Sequence, residues 1–138
     1  MNDQFLVTDT HPLIWYLGKQ KSKLPKRVFA AFESAREGLG THVWVPYAVA
    51  WEISLLMRKT SRITALGSFE ELIRENFYFA SMTLTEVQPD DLIIAHSLTF
   101  SRDPFDALIV ATAQRMELPL MTADKDITDS NACKIFWR

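Results

Sequence analysis

The chain has 138 residues, of which 48% are hydrophobic and 23% charged, and its formal net charge at pH 7 is -2. This composition excludes a disordered chain and fits one globular domain, predicted to span residues 1–138. Cys133 is the single cysteine, so an internal disulfide is excluded. No apolar run is long enough to cross a bilayer, and we expect a cytoplasmic protein without a membrane partner.

Strand and helix patterns alternate along the first half of the chain. Residues 5–7 form a short apolar run that predicts a buried strand, and residues 11–17 continue as a helix that ends at Gly18. An amphipathic helix is predicted from Pro25 to about Gly38. Residues 41–45 are rich in β-branched and aromatic side chains, as in a strand, and residues 48–58 have the apolar spacing of a helix.

The second half of the chain continues this alternation. The patterns predict a helix over residues 69–77, a strand over 79–84 and a helix over 89–96. A further helix is predicted from Pro104 to about residue 117, then a strand over 118–121 and an edge strand over 134–137. This order predicts an α/β fold, a three-layer α/β/α sandwich with a mostly parallel central sheet.

Four acidic residues are placed to meet where ligands bind in such sheets, at the carboxyl ends of the strands. Asp9 and Asp124 each follow a predicted strand, Asp106 lies in the first turn of an apolar helix, and Glu52 is embedded in an apolar helix. Each acid alone is explained equally well as a helix cap or a surface charge. Carboxylates that converge repel one another, and one or two Mg²⁺ or Mn²⁺ ions are the usual partners that hold them together.

Three further residues are candidates for a supporting role around these acids. Asp103 stands before Pro104 and is well explained as a helix cap, so it stays outside the main set. The hydroxyl groups of Thr10 and Thr122 are placed to orient ligands or waters, although both also fit local caps.

Basic residues form two clusters in the sequence. The first contains Lys19, Lys21, Lys23, Lys26 and Arg27, and the second contains Arg58, Lys59 and Arg62. Either cluster alone is more simply a solvated surface. The clusters become informative only if they border a site that handles phosphates.

The acidic motifs, taken in order, resemble the PIN-domain family and more narrowly the VapC-type toxins of toxin–antitoxin pairs. The resemblance rests on the segments VTDTHPLIW, WEI, DPFDALIVATA and LMTAD, which together span nearly the whole chain. It implies that Asp9, Glu52, Asp106 and Asp124 are the metal-binding catalytic acids. Thr8 stands where the family usually has an apolar residue.

The same resemblance implies an activity and a set of partners. VapC-type toxins are Mg²⁺- or Mn²⁺-dependent endoribonucleases, often homodimers, and a cognate antitoxin covers the cleft. The two basic clusters then become candidates for contacts with the RNA backbone at the cleft rim. Among the aromatic residues, Trp15, Tyr16, Trp44 and Trp51 are expected mostly in the core, with one or two exposed for antitoxin binding or base stacking.

Two other functions stay open on the residues alone. One is another carboxylate-metal phosphohydrolase, although a phosphatase of the haloacid dehalogenase type needs an Asp at the position of His11. The other is a non-catalytic module that keeps the fold and binds RNA or protein. A nucleotide-binding protein is disfavoured because the four glycines form no phosphate-binding loop.

Overall fold

The computed structural model describes residues 3–60, 66–79 and 81–138. The strands in these ranges are β1 (Gln4–Thr8), β2 (Thr41–Pro46), β3 (Tyr78–Phe79), β4 (Met82–Thr85) and β5 (Leu120–Met121). The α-helices are α1 (Thr10–Leu17), α2 (Lys26–Glu37), α3 (Tyr47–Lys59), α4 (Phe69–Asn76), α5 (Pro89–Ser97), α6 (Pro104–Met116) and α7 (Lys125–Ser130). None of these helices is long and apolar enough to cross a membrane.

One mixed sheet organises the fold, with the strand order β3-β4-β2-β1-β5. Strands β4, β2, β1 and β5 run parallel, and β3 runs antiparallel at one edge. The helices between the parallel strands are the crossover connections that parallel pairing requires. The predicted mostly parallel α/β sheet is therefore confirmed, and the carboxyl ends of four strands lie at one edge of the sheet.

Both faces of the inner strand β1, which lies between β2 and β5, are covered. Leu6 and Val7 point to opposite faces because they are successive strand residues, yet both are fully buried. Two-sided burial is typical of a parallel sheet between helix layers and accounts for the apolar run in the sequence. Fully buried Phe32 in α2 and Ile109 in α6 belong to the same core.

Two predicted strands differ in the structure. The strand predicted over 79–84 is split into the antiparallel pair β3 and β4, in which Tyr78 is opposite Thr83. A continuous apolar pattern does not reveal where a chain reverses. The predicted edge strand at 134–137 makes only one bridge, between Leu120 and Ile135, because β5 is too short to support a longer ladder. Cys133, which precedes this segment, is half-buried and lies in no strand.

A buried ion pair joins α5 to α6. Asp91 is completely buried and accepts two hydrogen bonds from the guanidinium of Arg115. Arg115 Nε donates to Asp91 Oδ1 at 2.5 Å, and Nη2 donates to Oδ2 at 3.3 Å. The second carboxylate oxygen also accepts the backbone N–H of Gln88 at 2.9 Å, at the start of α5. Several donors therefore satisfy the buried charge, as burial of a carboxylate requires.

Candidate active site

An acidic cleft of about 220 Å³ lies beyond the carboxyl ends of β1 and β5. The four predicted acids and Asp103 line it together with three other residues. The lining residues are Asp9, His11, Trp15, Glu52, Asp103, Asp106, Ala123 and Asp124. The structure thus brings the predicted acids into one cleft, while their assignment as metal ligands stays a prediction.

Asp9 is positioned by the end of β1 and the start of α1. It caps α1, accepting the backbone N–H of Thr10 on Oδ1 at 2.8 Å. Its Oδ2 accepts the hydroxyl of Thr122 at 2.6 Å. Burial raises the pKa of Asp9, while these hydrogen bonds from Thr122 and Thr10 act in the opposite direction. Asp9 is therefore both a helix cap and a buried acid of the cleft.

Glu52 enters the cleft from the second turn of α3 and is half-buried. Its Oε1 accepts a short hydrogen bond from the hydroxyl of Thr10. Burial raises the pKa of Glu52, and the negative charges of Asp103 and Asp9 add to the rise. Thr10 and Thr122, predicted as supporting residues, each bind an acid of the cleft through a side-chain hydroxyl.

Asp106 lies in the first turn of α6 beside the cap of that helix. Asp103 is the N-cap and accepts the backbone N–H of Phe105 at 2.8 Å. Burial, followed by the charges of Asp103, Asp9 and Asp124, raises the pKa of Asp106 to about 7. This carboxyl therefore has more surrounding negative charge than the protein itself neutralises.

Ser101 is a residue of the site that the sequence analysis missed. Its hydroxyl donates to Asp106 Oδ2 at 3.1 Å and accepts the backbone N–H of Asp103 at 3.0 Å. The available signal was a serine two residues before an Asp-Pro helix start, where a hydroxyl often turns back to the backbone.

Asp124 follows β5 and caps α7. Its Oδ1 accepts the backbone N–H of Ile127 at 3.0 Å, and its own N–H donates to Thr122 Oγ1 at 3.0 Å. The hydroxyl of Thr122 therefore connects Asp124 to Asp9. Asp126, the next acid after Asp124 in the sequence, is exposed and does not line the cleft.

The donor set of the cleft fits a hard divalent cation. All five acidic side chains offer oxygen, the ligand that Mg²⁺ and Mn²⁺ prefer. Burial and then the neighbouring carboxylates raise the pKa of Asp106, and a bound cation would favour its charged form against both. Among the described residues, no three His, Cys, Asp or Glu side chains are already gathered as a finished ion site. Ion binding would have to draw the carboxylates together.

The first basic cluster divides between two places. Lys19 and Lys21 line a separate cavity between α1, α2 and α4, so the structure does not bring them to the acidic cleft. Lys23 Nζ lies 5.7 Å from the ring centroid of Trp15, which lines the cleft. The guanidinium of Arg27 lies 3.9 Å from the ring centroid of Phe136.

The remaining basic residues are not part of the cleft lining. Lys26 is exposed at the start of α2, and Lys59 is exposed at the end of α3. The guanidinium of Arg58 lies 5.5 Å from the ring of Trp51, and Arg62 lies outside the described residues. Trp51 itself is 50% exposed, so it is one of the aromatic residues that lie outside the core.

The family model of the PIN domain matches residues 6–131, a range that includes every acid of the cleft. The chain belongs to the PIN domain family. PIN domains are in general nucleases, and they usually use divalent metal ions. No curated protein sequence matches the chain significantly.

Two solved structures share the PIN fold of this chain. A chain in the crystal structure of VapBC2 from Rickettsia felis, bound to a DNA fragment from their promoter, aligns with a TM-score of 0.67 at 12% identity. That alignment covers 98% of this chain and 100% of the other. PAE2754 from Pyrobaculum aerophilum aligns with a TM-score of 0.55 at 15% identity, over 96% of this chain and 83% of the other.

Proposed function

We propose that this PIN domain is a divalent-metal-dependent endoribonuclease that hydrolyses RNA phosphodiester bonds. The observation that carries the proposal is the convergence of five carboxylates in one cleft, with the pKa of Asp106 raised to about 7. Natural sequences rarely gather such repulsion without a bound cation to offset it. Phosphodiester hydrolysis is a reaction that a carboxylate-held cation promotes.

Asp9, Glu52, Asp106 and Asp124 are the residues that would hold one or two Mg²⁺ or Mn²⁺ ions. When bound, such ions supply an activated water and stabilise negative charge on the phosphate. The chain's own hydroxyl groups hold the acids: Thr122 binds Asp9, Thr10 binds Glu52, and Ser101 binds Asp106. These hydrogen bonds limit side-chain rotation and so reduce the cost of gathering the ligands.

We further propose that the protein is the toxin of a toxin–antitoxin pair. The resemblance to VapC-type toxins and the fold shared with a chain of VapBC2 support this proposal. In this proposal a cognate antitoxin covers the cleft and the protein forms a homodimer. It is located in the cytoplasm, where RNA and antitoxin are both present.

The test of the nuclease proposal is a cleavage assay on structured RNA. We expect cleavage with Mg²⁺ or Mn²⁺, no cleavage with excess chelator, and loss of cleavage in Asp9→Asn and Asp106→Asn. Asp129→Asn is the matched control, because Asp129 is an exposed acid of α7 outside the cleft lining. Full activity in chelator or in both cleft variants would contradict the metal mechanism. A folded protein that binds RNA without cleaving it would be the non-catalytic module.

The toxin proposal is tested in cells. Expression of the chain alone should stop growth, whereas expression of Asp106→Asn should not. Co-expression of a protein encoded beside it should restore growth and bind the purified chain. Normal growth during expression of an enzyme that cleaves RNA in vitro would instead indicate a housekeeping nuclease.

A further inference from the structure

A row of aromatic side chains leads away from the acidic cleft. His11 and Trp15 line the cleft, and their ring centroids are 5.9 Å apart. The ring of Trp15 is in turn 6.4 Å from the ring of Trp137. His11 is exposed, and Trp15 and Trp137 are half-buried, so each ring keeps part of its surface in solvent. We refer to these three residues as the aromatic strip.

Two exposed cations accompany the aromatic strip. Lys23 Nζ lies 5.7 Å from the ring centroid of Trp15. Arg27 lies over the ring of Phe136 and donates to the backbone carbonyl of residue 138 at 3.1 Å, so it contacts residues on both sides of Trp137. Positive charge therefore lies beside Trp15 and beside the two residues that flank Trp137.

This combination matches the chemistry of an unpaired nucleic acid strand. Bases stack on exposed aromatic rings, and lysine or arginine neutralises the phosphates between them. A duplex keeps its bases stacked on one another and would use the cations without the rings. The aromatic strip begins within the lining of the cleft, so a strand that places one phosphate at the acids would continue over Trp15.

We propose that the aromatic strip, with Lys23 and Arg27, binds single-stranded RNA beside the phosphate to be cleaved. This inference assigns the surface that holds the RNA substrate beside the same site, and it rests on the proposed ribonuclease function. Unpaired bases stack on Trp15 and Trp137, and the two cations offset the repulsion between RNA and the acidic cleft.

The test measures binding separately from cleavage. Labelled RNA of about 12 nucleotides is titrated with Asp106→Asn protein in chelator, and fluorescence anisotropy reports the affinity. Three probes are compared: a single strand, the same sequence as a duplex, and a strand of the same length with abasic sites. The proposal predicts that the single strand binds more tightly than either of the others.

Trp137→Ala should weaken binding of the single strand about tenfold or more, as loss of one stacked base does. Binding of the abasic strand should change little, and Trp137→Phe should keep most of the affinity. The matched control is Tyr78→Ala, because Tyr78 is also an exposed aromatic residue but does not line the cleft. This control should bind all three probes as the parent protein does.

Lys23→Gln and Arg27→Gln test the cations, whose side chains are both exposed. Because Arg27 also lies over the core residue Phe136, circular dichroism checks that each variant folds. Each should weaken the single strand and the abasic strand alike. Each should also reduce the slope of log affinity against log salt concentration by about 0.7, the value for one phosphate contact on a single strand. Arg74→Gln, which changes an exposed arginine of α4 outside the cleft lining, should leave the slope unchanged.

Several results would overturn the proposal. These are equal affinity for single strand and duplex, unchanged binding in Trp137→Ala that still folds by circular dichroism, and unchanged salt slopes in both cation variants. Loss of binding only to a partner protein would assign the strip to that partner. If the parent protein cleaves RNA but these substitutions change neither affinity nor salt slope, the proposal about the aromatic strip is wrong and the ribonuclease proposal stands. If RNA binding depends on the aromatic strip but the parent protein does not cleave RNA, the ribonuclease proposal is wrong and the strip is supported as an RNA-binding surface.

Discussion

The hydroxyl of Ser101 donates to Asp106 Oδ2 at 3.1 Å, and Ser101 Oγ accepts the backbone N–H of Asp103 at 3.0 Å. One side chain thus joins the acid with the pKa of about 7 to the cap of the helix that carries it. Rotation of Asp106 is limited by this contact, so the pair provides a direct test of how the cleft is held.

Ser101→Ala should lower Mn²⁺ affinity and cleavage rate about tenfold, because residues that orient a metal ligand have effects of about this size. Ser101→Thr keeps the hydroxyl and should restore most of both. Isothermal titration with Mn²⁺ gives the affinity independently of activity. Ser97→Ala is the control, since that hydroxyl donates to a backbone carbonyl in α5 away from the cleft. Unchanged Mn²⁺ affinity in Ser101→Ala would refute the positioning role.

Thr122→Val should destabilise the fold by about 1–3 kcal/mol, because a buried carboxylate loses its hydroxyl donor. Asp9 is 6% exposed, so water does not replace the lost hydrogen bond fully. Urea denaturation measures the free energy of unfolding. Thr128→Val is the matched control, because its exposed hydroxyl donates to the carbonyl oxygen of Asp124. An equal loss of stability in both variants would argue against a special role for the Thr122 hydroxyl.

The metal-free protein should lose stability as pH rises from about 4 to about 7. The folded chain keeps the proton of Asp106 up to about pH 7, whereas the ordinary value for the unfolded chain is 3.8. Within that window the folded state binds more protons, so the free energy of unfolding falls with rising pH. The raised pKa values of Asp9 and Glu52 act in the same direction.

Asp106→Asn removes one of these charges and should flatten the pH dependence of the melting temperature in chelator. The same variant should melt higher than the parent protein at pH 8 while being inactive. Asp129→Asn, outside the cleft, should follow the parent curve. If the stability of the parent protein in chelator rises between pH 5 and pH 8, the cleft acids do not have the raised pKa values on which this prediction depends.

Arg115→Met should destabilise the protein by about 3–5 kcal/mol, because it leaves the buried Asp91 carboxylate without its cation. Arg74→Met removes an exposed ion pair with Glu70 and should cost less than about 1 kcal/mol. Urea denaturation separates the two effects. Near-equal costs would mean that solvent or Gln88 already satisfies Asp91.

The sequence predicts the sheet and the cleft acids because their signals are local. A short apolar run followed by an acid, as at Val7 and Asp9, marks a buried parallel strand and its carboxyl end. The exposure of Trp51 has no local sequence signal, because it depends on which side of α3 packs against α1 and α6. Lys19 and Lys21 follow α1 in sequence, yet the chain turns at Lys19, where φ is 59°, and carries them to another cavity.

The bond between Thr122 and Asp9 joins residues that are 113 positions apart in the sequence. During synthesis Asp9 therefore leaves the ribosome long before Thr122 and Asp124 have been added. A nascent chain has a first strand and its acid but no second half of the cleft. If the protein is the ribonuclease proposed above, a nascent chain therefore cannot cut the messenger that encodes it until synthesis has passed Asp124.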